Sequence, residues 1–151
     1  MSPLSASIEA PAGQSDAAQF QVGLRIENRT GTMVRLLNPN MGRPSPEMSW
    51  RYSNEAWQIS LLMIFNYLSM SVTDDAGDEV PLQMIDSGAT PALWPPLELA
   101  PGDSMTLVVP IGEFFVLEYG KTYDVIIDYG EQGQKVKACG RIAVPISAQF
   151  V

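Results

Sequence analysis

Apolar and polar residues alternate with a period of two along most of the chain. In residues 20–26 the apolar side chains are separated by Gln21, Gly23 and Arg25. Successive side chains of a β-strand point to opposite faces, so this alternation predicts a strand with one buried face and one solvent-facing face. The same pattern predicts strands over residues 4–10, 33–37, 68–72, 80–84, 105–109, 123–129 and 136–146.

Turn-forming residues separate these segments. Residues 28–32 are polar and contain Gly31, residues 74–79 form an acidic tip, and Pro101-Gly102 suits a type II turn because glycine tolerates a positive φ. Several short strands at this spacing, without a convincing long amphipathic helix, predict an all-β antiparallel sandwich. A partly open barrel is the alternative. The residues expected to point into the core are Val22, Leu24, Ile26, Leu107, Val109, Val125, Ile127 and Ile142.

Two neighbouring segments break the alternation. Residues 38–56 contain Pro39, Pro44 and Pro46, and proline cannot donate to a β-ladder, so a long loop is predicted there. Residues 57–65 are strongly apolar, and their pattern fits either a strand or a short helix.

Length and charge restrict the class of protein. The chain has 151 residues, which predicts a single domain over residues 1–151 with a full core. The formal net charge of −8 disfavours nucleic acid and anionic lipid, and it favours a basic protein partner or simple solubility. The most apolar stretch, residues 59–70, is too short and interrupted to span a bilayer, which needs about 20 residues, so no membrane insertion is expected.

The first residues and the single cysteine bear on the compartment. Residues 1–4 lack a basic segment followed by an apolar one, so no signal peptide is expected. Cys139 is the only cysteine, which rules out an internal disulfide and fits a reducing compartment. The sequence predicts a cytoplasmic protein, or a periplasmic or secreted one if a signal segment has been removed.

Residue types needed for common catalytic centres are scarce. The chain has no histidine and one cysteine, which excludes Ser-His-Asp, Cys-His and Cys/His zinc sites. Asp124 and Asp128 share a strand face at about 13 Å, farther apart than the carboxylates of glycosidases. The sequence predicts a protein that is not an enzyme and that needs no cofactor or metal.

Three smaller features have a structural interpretation, and two of them also have an alternative. The 74–79 tip is interpreted as a solvated turn, with calcium binding as the alternative, because calcium prefers oxygen ligands. Cys139 shares a strand face with Lys137 and Arg141 and is interpreted as a small strand residue. Tyr123 fits either a tyrosine corner, with its hydroxyl bonded to upstream backbone, or a plain core tyrosine.

Three segments resemble a known family. Residues 99–107 read Leu-Ala-Pro-Gly-Asp-Ser-Met-Thr-Leu and residues 120–125 read Gly-Lys-Thr-Tyr-Asp-Val. They resemble the pattern L-x-P-G-E-S-x-T … P-G-x-Y-x-V of immunoglobulin-like accessory domains, including bacterial intracellular proteinase-inhibitor-like domains. Residues 22–28 are similar to the second strand of those domains, and residues 38–56 depart from their compact pattern. The resemblance implies an immunoglobulin-like antiparallel β-sandwich of about seven to nine strands.

Arginine and aromatic residues concentrate between residues 43 and 57. These residue types are enriched at protein-binding hot spots, and the prolines lower the entropic cost of ordering the loop. We therefore expect a contact surface here, the alternative being that the two tryptophans close one end of the sandwich. The candidate binding residues are Arg43, Trp50, Arg51, Tyr52 and Trp57.

Phe114 and Phe115 form a second candidate contact. Adjacent residues of a strand face opposite ways, so one ring is expected in the core, and the other is a candidate for an exposed contact.

Together these features predict a non-enzymatic protein-binding module, such as an inhibitor or an immunity-type antagonist of a basic protein partner. A structural or accessory β-sandwich subunit of a larger assembly, with self-association, is the alternative. A more remote alternative is a hydrolase that uses only carboxylates as catalytic groups.

Overall fold

The protein is mostly β. The computed structural model describes residues 4–11, 13–14, 16–37, 54–64, 66–83, 96–130 and 135–145. Eight strands lie in this part of the chain. They are β1 (Leu4–Glu9), β2 (Val22–Asn28), β3 (Val34–Leu36), β4 (Leu68–Asp74), β5 (Leu97–Leu99), β6 (Ser104–Val109), β7 (Thr122–Tyr129) and β8 (Val136–Ala143).

The strands form three antiparallel sheets. Two have three strands, in the orders β1-β2-β6 and β4-β7-β8, and β3 pairs with β5 in a two-stranded sheet. In the first sheet Ile26 lies between Ala6 and Met105, and in the second Ile127 lies between Met70 and Ala138. The predicted all-β class is therefore confirmed.

The core lies on the inner faces of the two three-stranded sheets. In β7, residues at alternate positions are fully buried, whereas Asp124 and Asp128 lie on the outer face. All eight residues expected to point inward are buried: Val22, Leu24, Ile26, Leu107, Val109, Val125, Ile127 and Ile142. Because a slip of one residue would exchange the two faces, the register expected from the sequence is correct.

β1 and β8 approach each other closely from different sheets. A Cβ atom on Gly140 of β8 would lie 3.0 Å from Cβ of Ile8 in β1. Packed sheets are ordinarily about 10 Å apart because side chains from both fill the space between them. The missing side chain at Gly140 therefore lets the two strands come together.

The predicted type II turn is confirmed before β6. The amide of Asp103 donates to the carbonyl of Ala100 at 2.9 Å, and Gly102 has a φ of +83°. Two backbone hydrogen bonds join the turn to β2. The backbone N–H of Asn28 donates to the Asp103 carbonyl, and the Asn28 carbonyl accepts from the backbone N–H of Gly102, both at 2.9 Å.

The side chain of Asn28 closes the same corner. Its amide nitrogen donates to the carbonyls of Thr32 and Leu99, both at 2.8 Å. Its oxygen accepts from the backbone nitrogen of Thr30 at 2.9 Å and from the Thr30 hydroxyl at 2.6 Å. Asn28 is fully buried, and two donors and two acceptors satisfy its side chain completely.

Two helices complete the description. Residues 57–65, for which strand and helix were both open, lie largely in α1 (Asn54–Ile64). α1 is buried on several sides, and the hydroxyl of Ser60 is satisfied within it by the Trp57 carbonyl at 2.8 Å. α2 is the short Ile111–Phe114 segment. In the described part of the chain neither helix is suited to cross a membrane.

Candidate functional site

Most of the predicted contact loop lies outside the described residues. This applies to Arg43, Trp50, Arg51 and Tyr52, whose binding role stays a prediction. Trp57 lies in α1 and is 4% exposed, so it belongs to the core. Its indole Nε1 is buried and has no hydrogen-bond partner among the described residues.

The exposed contact considered for one of the two rings, Phe114 or Phe115, is wrong, because both rings are buried. The period-two argument fails here because Phe114 is the last residue of α2 and not part of a strand. Gly112 lets this helix lie against the 3₁₀ turn at Ala17–Gln19: a Cβ on Gly112 would overlap the Ala17 carbonyl oxygen and lie 2.8 Å from the Phe20 nitrogen.

A groove lies beside Phe115, along β4. Its volume is about 340 Å³. We call it the β4 groove, and it is lined by Met70, Ser71, Val72, Glu79, Val80, Pro81, Leu82 and Phe115. Most of this lining is apolar, and Leu82 is 39% exposed.

The β4 groove exists because the hairpin after β4 opens early. Residues 80–84 were expected to return as a full strand, but the described residues 80–83 form none. Val80 donates its amide to the Val72 carbonyl at 2.9 Å, and Thr73 and Glu79 form one isolated bridge. The chain then turns towards α2, where Gln83 donates to the Phe114 carbonyl at 2.7 Å.

The backbone of β4 faces this opening. Tyr67 accepts from the Gly130 amide, so odd-numbered residues of β4 direct their backbone groups towards β7. The even-numbered ones point the other way, as the Val72 carbonyl does towards Val80. Met70 therefore directs its N–H and C=O away from β7, and no described residue pairs with them.

One carboxylate, Glu79, lines the groove, and two more lie near it in the chain. Asp75, Asp78 and Glu79 are exposed at the hairpin tip. Asp74 has a structural role, because its Oδ1 accepts from the amides of Ala76 at 3.0 Å and Asp78 at 2.9 Å. The described residues contain no group of three or more side chains placed to hold a metal ion.

A second depression offers a useful contrast. It has a volume of about 240 Å³, lies on the outer face of the β1-β2-β6 sheet, and is lined in part by Gly23 and Val108. β2 is paired on both sides there, since Gly23 lies between Glu9 and Val108. This depression therefore offers no open edge of β2.

The outer face of the β4-β7-β8 sheet carries the other residues considered for chemistry. Cys139 is exposed on it between Lys137 and Arg141, as the sequence predicted. Asp124 is paired with Arg141 through a 3.1 Å contact, and it shares this face with Asp128.

Two tyrosines of β7 differ in their hydrogen bonds. The hydroxyl of Tyr123 accepts from the Glu118 amide at 2.8 Å, which is the upstream backbone contact of a tyrosine corner. The hydroxyl of Tyr129 is buried without a partner in the described part of the chain. Burial raises the pKa of Tyr129 well above its usual value, and the nearby Tyr67 adds to the effect.

Lys121 and Glu118 form an exposed ion pair just before β7. The hydrogen bond from Lys121 to Glu118 raises the pKa of the lysine above its usual value.

Sequence reasoning missed the β4 groove. Its signal was the proline at residue 81, inside the segment expected to be a strand, because proline within such a run argues against regular pairing. No protein-family model and no curated protein matches this chain.

Proposed function

We propose that this protein is a non-enzymatic protein-binding module, built on an immunoglobulin-like β-sandwich, that recognises a basic protein partner. It acts as an antagonist of that partner, in the way of an inhibitor or an immunity protein.

The arrangement of strands supports the immunoglobulin-like part of the proposal. Immunoglobulin sandwiches place strands A, B and E in one sheet and C, F and G in the other. The sheet orders β1-β2-β6 and β4-β7-β8 correspond to these two sets. Tyr123, near the start of β7, corresponds to the tyrosine corner of strand F.

The single observation that carries the binding function is the β4 groove, where no described residue pairs with the outward-directed backbone groups of Met70. An unpaired edge is a template for another chain, and proteins ordinarily cover or interrupt it. Among the described residues this edge at Met70 is unpaired and adjoins apolar side chains, which is the combination that protein partners use.

Charge supports the choice of a basic partner. The chain carries a net charge of −8, Glu79 lines the groove, and Asp75 and Asp78 are exposed at the hairpin tip next to it in the chain. A surface of one sign attracts partners of the opposite sign and accelerates their association.

Affinity capture tests the proposal. The protein is biotinylated at Cys139, its only cysteine, and incubated with lysate of the native host. We expect a specific protein to be retained at low salt and released as salt rises, because salt screens exposed charges. The variant Asp78→Lys/Glu79→Lys should lose this protein.

The matched control reverses two exposed carboxylates elsewhere, in Glu9→Lys/Asp103→Lys. It changes the net charge equally and should retain the partner. The proposal fails if the parent retains no specific protein, or if the tip variant retains the same protein as the parent.

A further inference from the structure

We infer that the β4 groove binds an extended peptide segment of the partner, which adds to β4 as a new edge strand through Met70. The segment alternates apolar and basic residues. This inference rests on the proposed function and specifies its mode of recognition.

The backbone of β4 supplies the first argument. Adding a strand requires a donor and an acceptor on the same side of an edge residue, and Met70 directs both away from β7. Val80 already uses the same edge at Val72, two residues farther along β4. An incoming strand would therefore continue the pairing that the chain itself begins.

The side chains supply the second argument. The hairpin pairing at Val72 is antiparallel, so the added strand is antiparallel to β4, and residues opposite each other place their side chains on the same face of the sheet. Met70 is half-buried and packs against the core, so the residue paired with it points inward as well. There it meets Val80, Leu82 and Phe115, which favour an apolar side chain.

The outer face supplies the charge argument. In the incoming peptide, the residues on either side of the apolar residue paired with Met70 point to the opposite face of the sheet, because strand side chains alternate. On that face β4 presents Ser69 and Ser71, and Glu79 lies at the end of the groove. Hydroxyl and carboxylate groups accept hydrogen bonds from lysine or arginine, so basic residues fit these flanking positions.

A synthetic peptide tests the inference on the purified protein. The probe is acetyl-Lys-Val-Lys-Val-Lys-Val-Lys-amide, measured by calorimetry and by hydrogen exchange of the Met70 amide. We expect saturable binding that slows exchange at Met70. The same peptide with its valine nitrogens methylated should bind at least about tenfold more weakly, because it lacks the donors for β4.

Matched variants locate the site. Leu82 and Val108 are 39% and 41% exposed, so Leu82→Ser and Val108→Ser remove similar apolar surface without changing charge. Leu82→Ser should weaken the peptide at least about fivefold, and Val108→Ser should leave its affinity within about twofold. Circular dichroism checks that both variants are folded.

Three outcomes would overturn the inference: equal binding of the methylated peptide, unchanged exchange at Met70, or full affinity in Leu82→Ser. A dimer in sedimentation that Leu82→Ser dissociates would assign the groove to a second copy and also overturn it.

The two proposals fail separately. If affinity capture yields a partner that Leu82→Ser retains as well as the parent does, the binding function stands and strand addition does not. If the peptide binds through Met70 but no protein is captured, strand addition stands and the proposed function does not.

Discussion

Asn28 and Tyr129 end the central strands of the two three-stranded sheets, and both are fully buried. The amide of Asn28 has four hydrogen bonds, to Thr30, Thr32 and Leu99. The hydroxyl of Tyr129 has no partner in the described ranges. The protein therefore contains one buried polar group that is fully hydrogen-bonded and another to which no described residue is hydrogen-bonded.

The difference reflects how much of each side chain is apolar. An amide buried without partners costs several kcal/mol, so asparagine is tolerated in a core only where the backbone is arranged around it. Tyrosine buries a large ring whose packing offsets the cost of one hydroxyl. The Tyr129 ring contacts Tyr67 edge to face, with the centroids 5.0 Å apart. Asn28 therefore stabilises the fold through hydrogen bonds to the surrounding chain, whereas Tyr129 does so through the packing of its ring.

The largest expected effect is at Asn28. Asn28→Leu should lower the free energy of unfolding by about 2–4 kcal/mol, because it leaves the buried Leu99 carbonyl and the partly buried Thr32 carbonyl without the amide that they accept from. Urea denaturation measures the change. A loss below about 1 kcal/mol would show that water or backbone relaxation replaces the amide, and the contrast with Tyr129 would disappear.

The next effect appears at alkaline pH. The folded-state pKa of Tyr129 is raised above the usual 10.0, so folded protein keeps a proton that the unfolded chain releases. The contribution of Tyr129 to stability is therefore complete below about pH 10 and decreases as the pH rises further, by up to about 1.4 kcal/mol per pH unit. Urea denaturation between pH 9 and 11 should show a steeper loss in the parent than in Tyr129→Phe. Equal slopes would contradict the raised pKa.

A moderate effect is expected at Tyr123. Tyr123→Phe removes the hydroxyl that accepts from the Glu118 amide, and should cost about 0.5–1.5 kcal/mol at neutral pH. Thermal unfolding by calorimetry measures it. If Tyr123→Phe leaves the stability unchanged, the hydroxyl of Tyr123 contributes nothing to stability, as we expect for the hydroxyl of Tyr129.

The smallest effect is expected for Tyr129→Phe at neutral pH. This change removes a buried hydroxyl that has no described partner, so stability should stay within about 0.5 kcal/mol of the parent or rise slightly. A loss above about 1 kcal/mol would reveal a hydrogen bond to that hydroxyl and bring Tyr129 closer to Asn28.

The sequence predicted those parts of the fold that depend on local alternation. β2 and β7 each present an apolar face, and a period of two is visible within a single strand. The type II turn at Gly102 was equally local, because its two central residues determine it.

Other parts depend on contacts between distant segments. The apolar run that includes Ile59 and Leu62 fits a helix or a strand when it is considered alone. In the structure it forms α1, whose side chains are buried on several sides by other segments of the chain. An exposed ring was considered for one of Phe114 and Phe115, but both are buried because the chain here forms α2 instead of a strand. The β4 groove depends on the bond between Gln83 and Phe114, which no local pattern encodes.

The close approach of Ile8 to Gly140 also has a consequence for the order of folding. β1 and β8 are the first and last strands of the described chain, so bringing them together closes a very long loop of polypeptide. Closing a long loop has an entropic cost, and folds with such distant contacts form slowly. During synthesis on the ribosome β1 is made before β8, so this contact cannot form until β8 has been synthesised. During that interval β1 can pair with β2, but its inner face lacks the contact with β8.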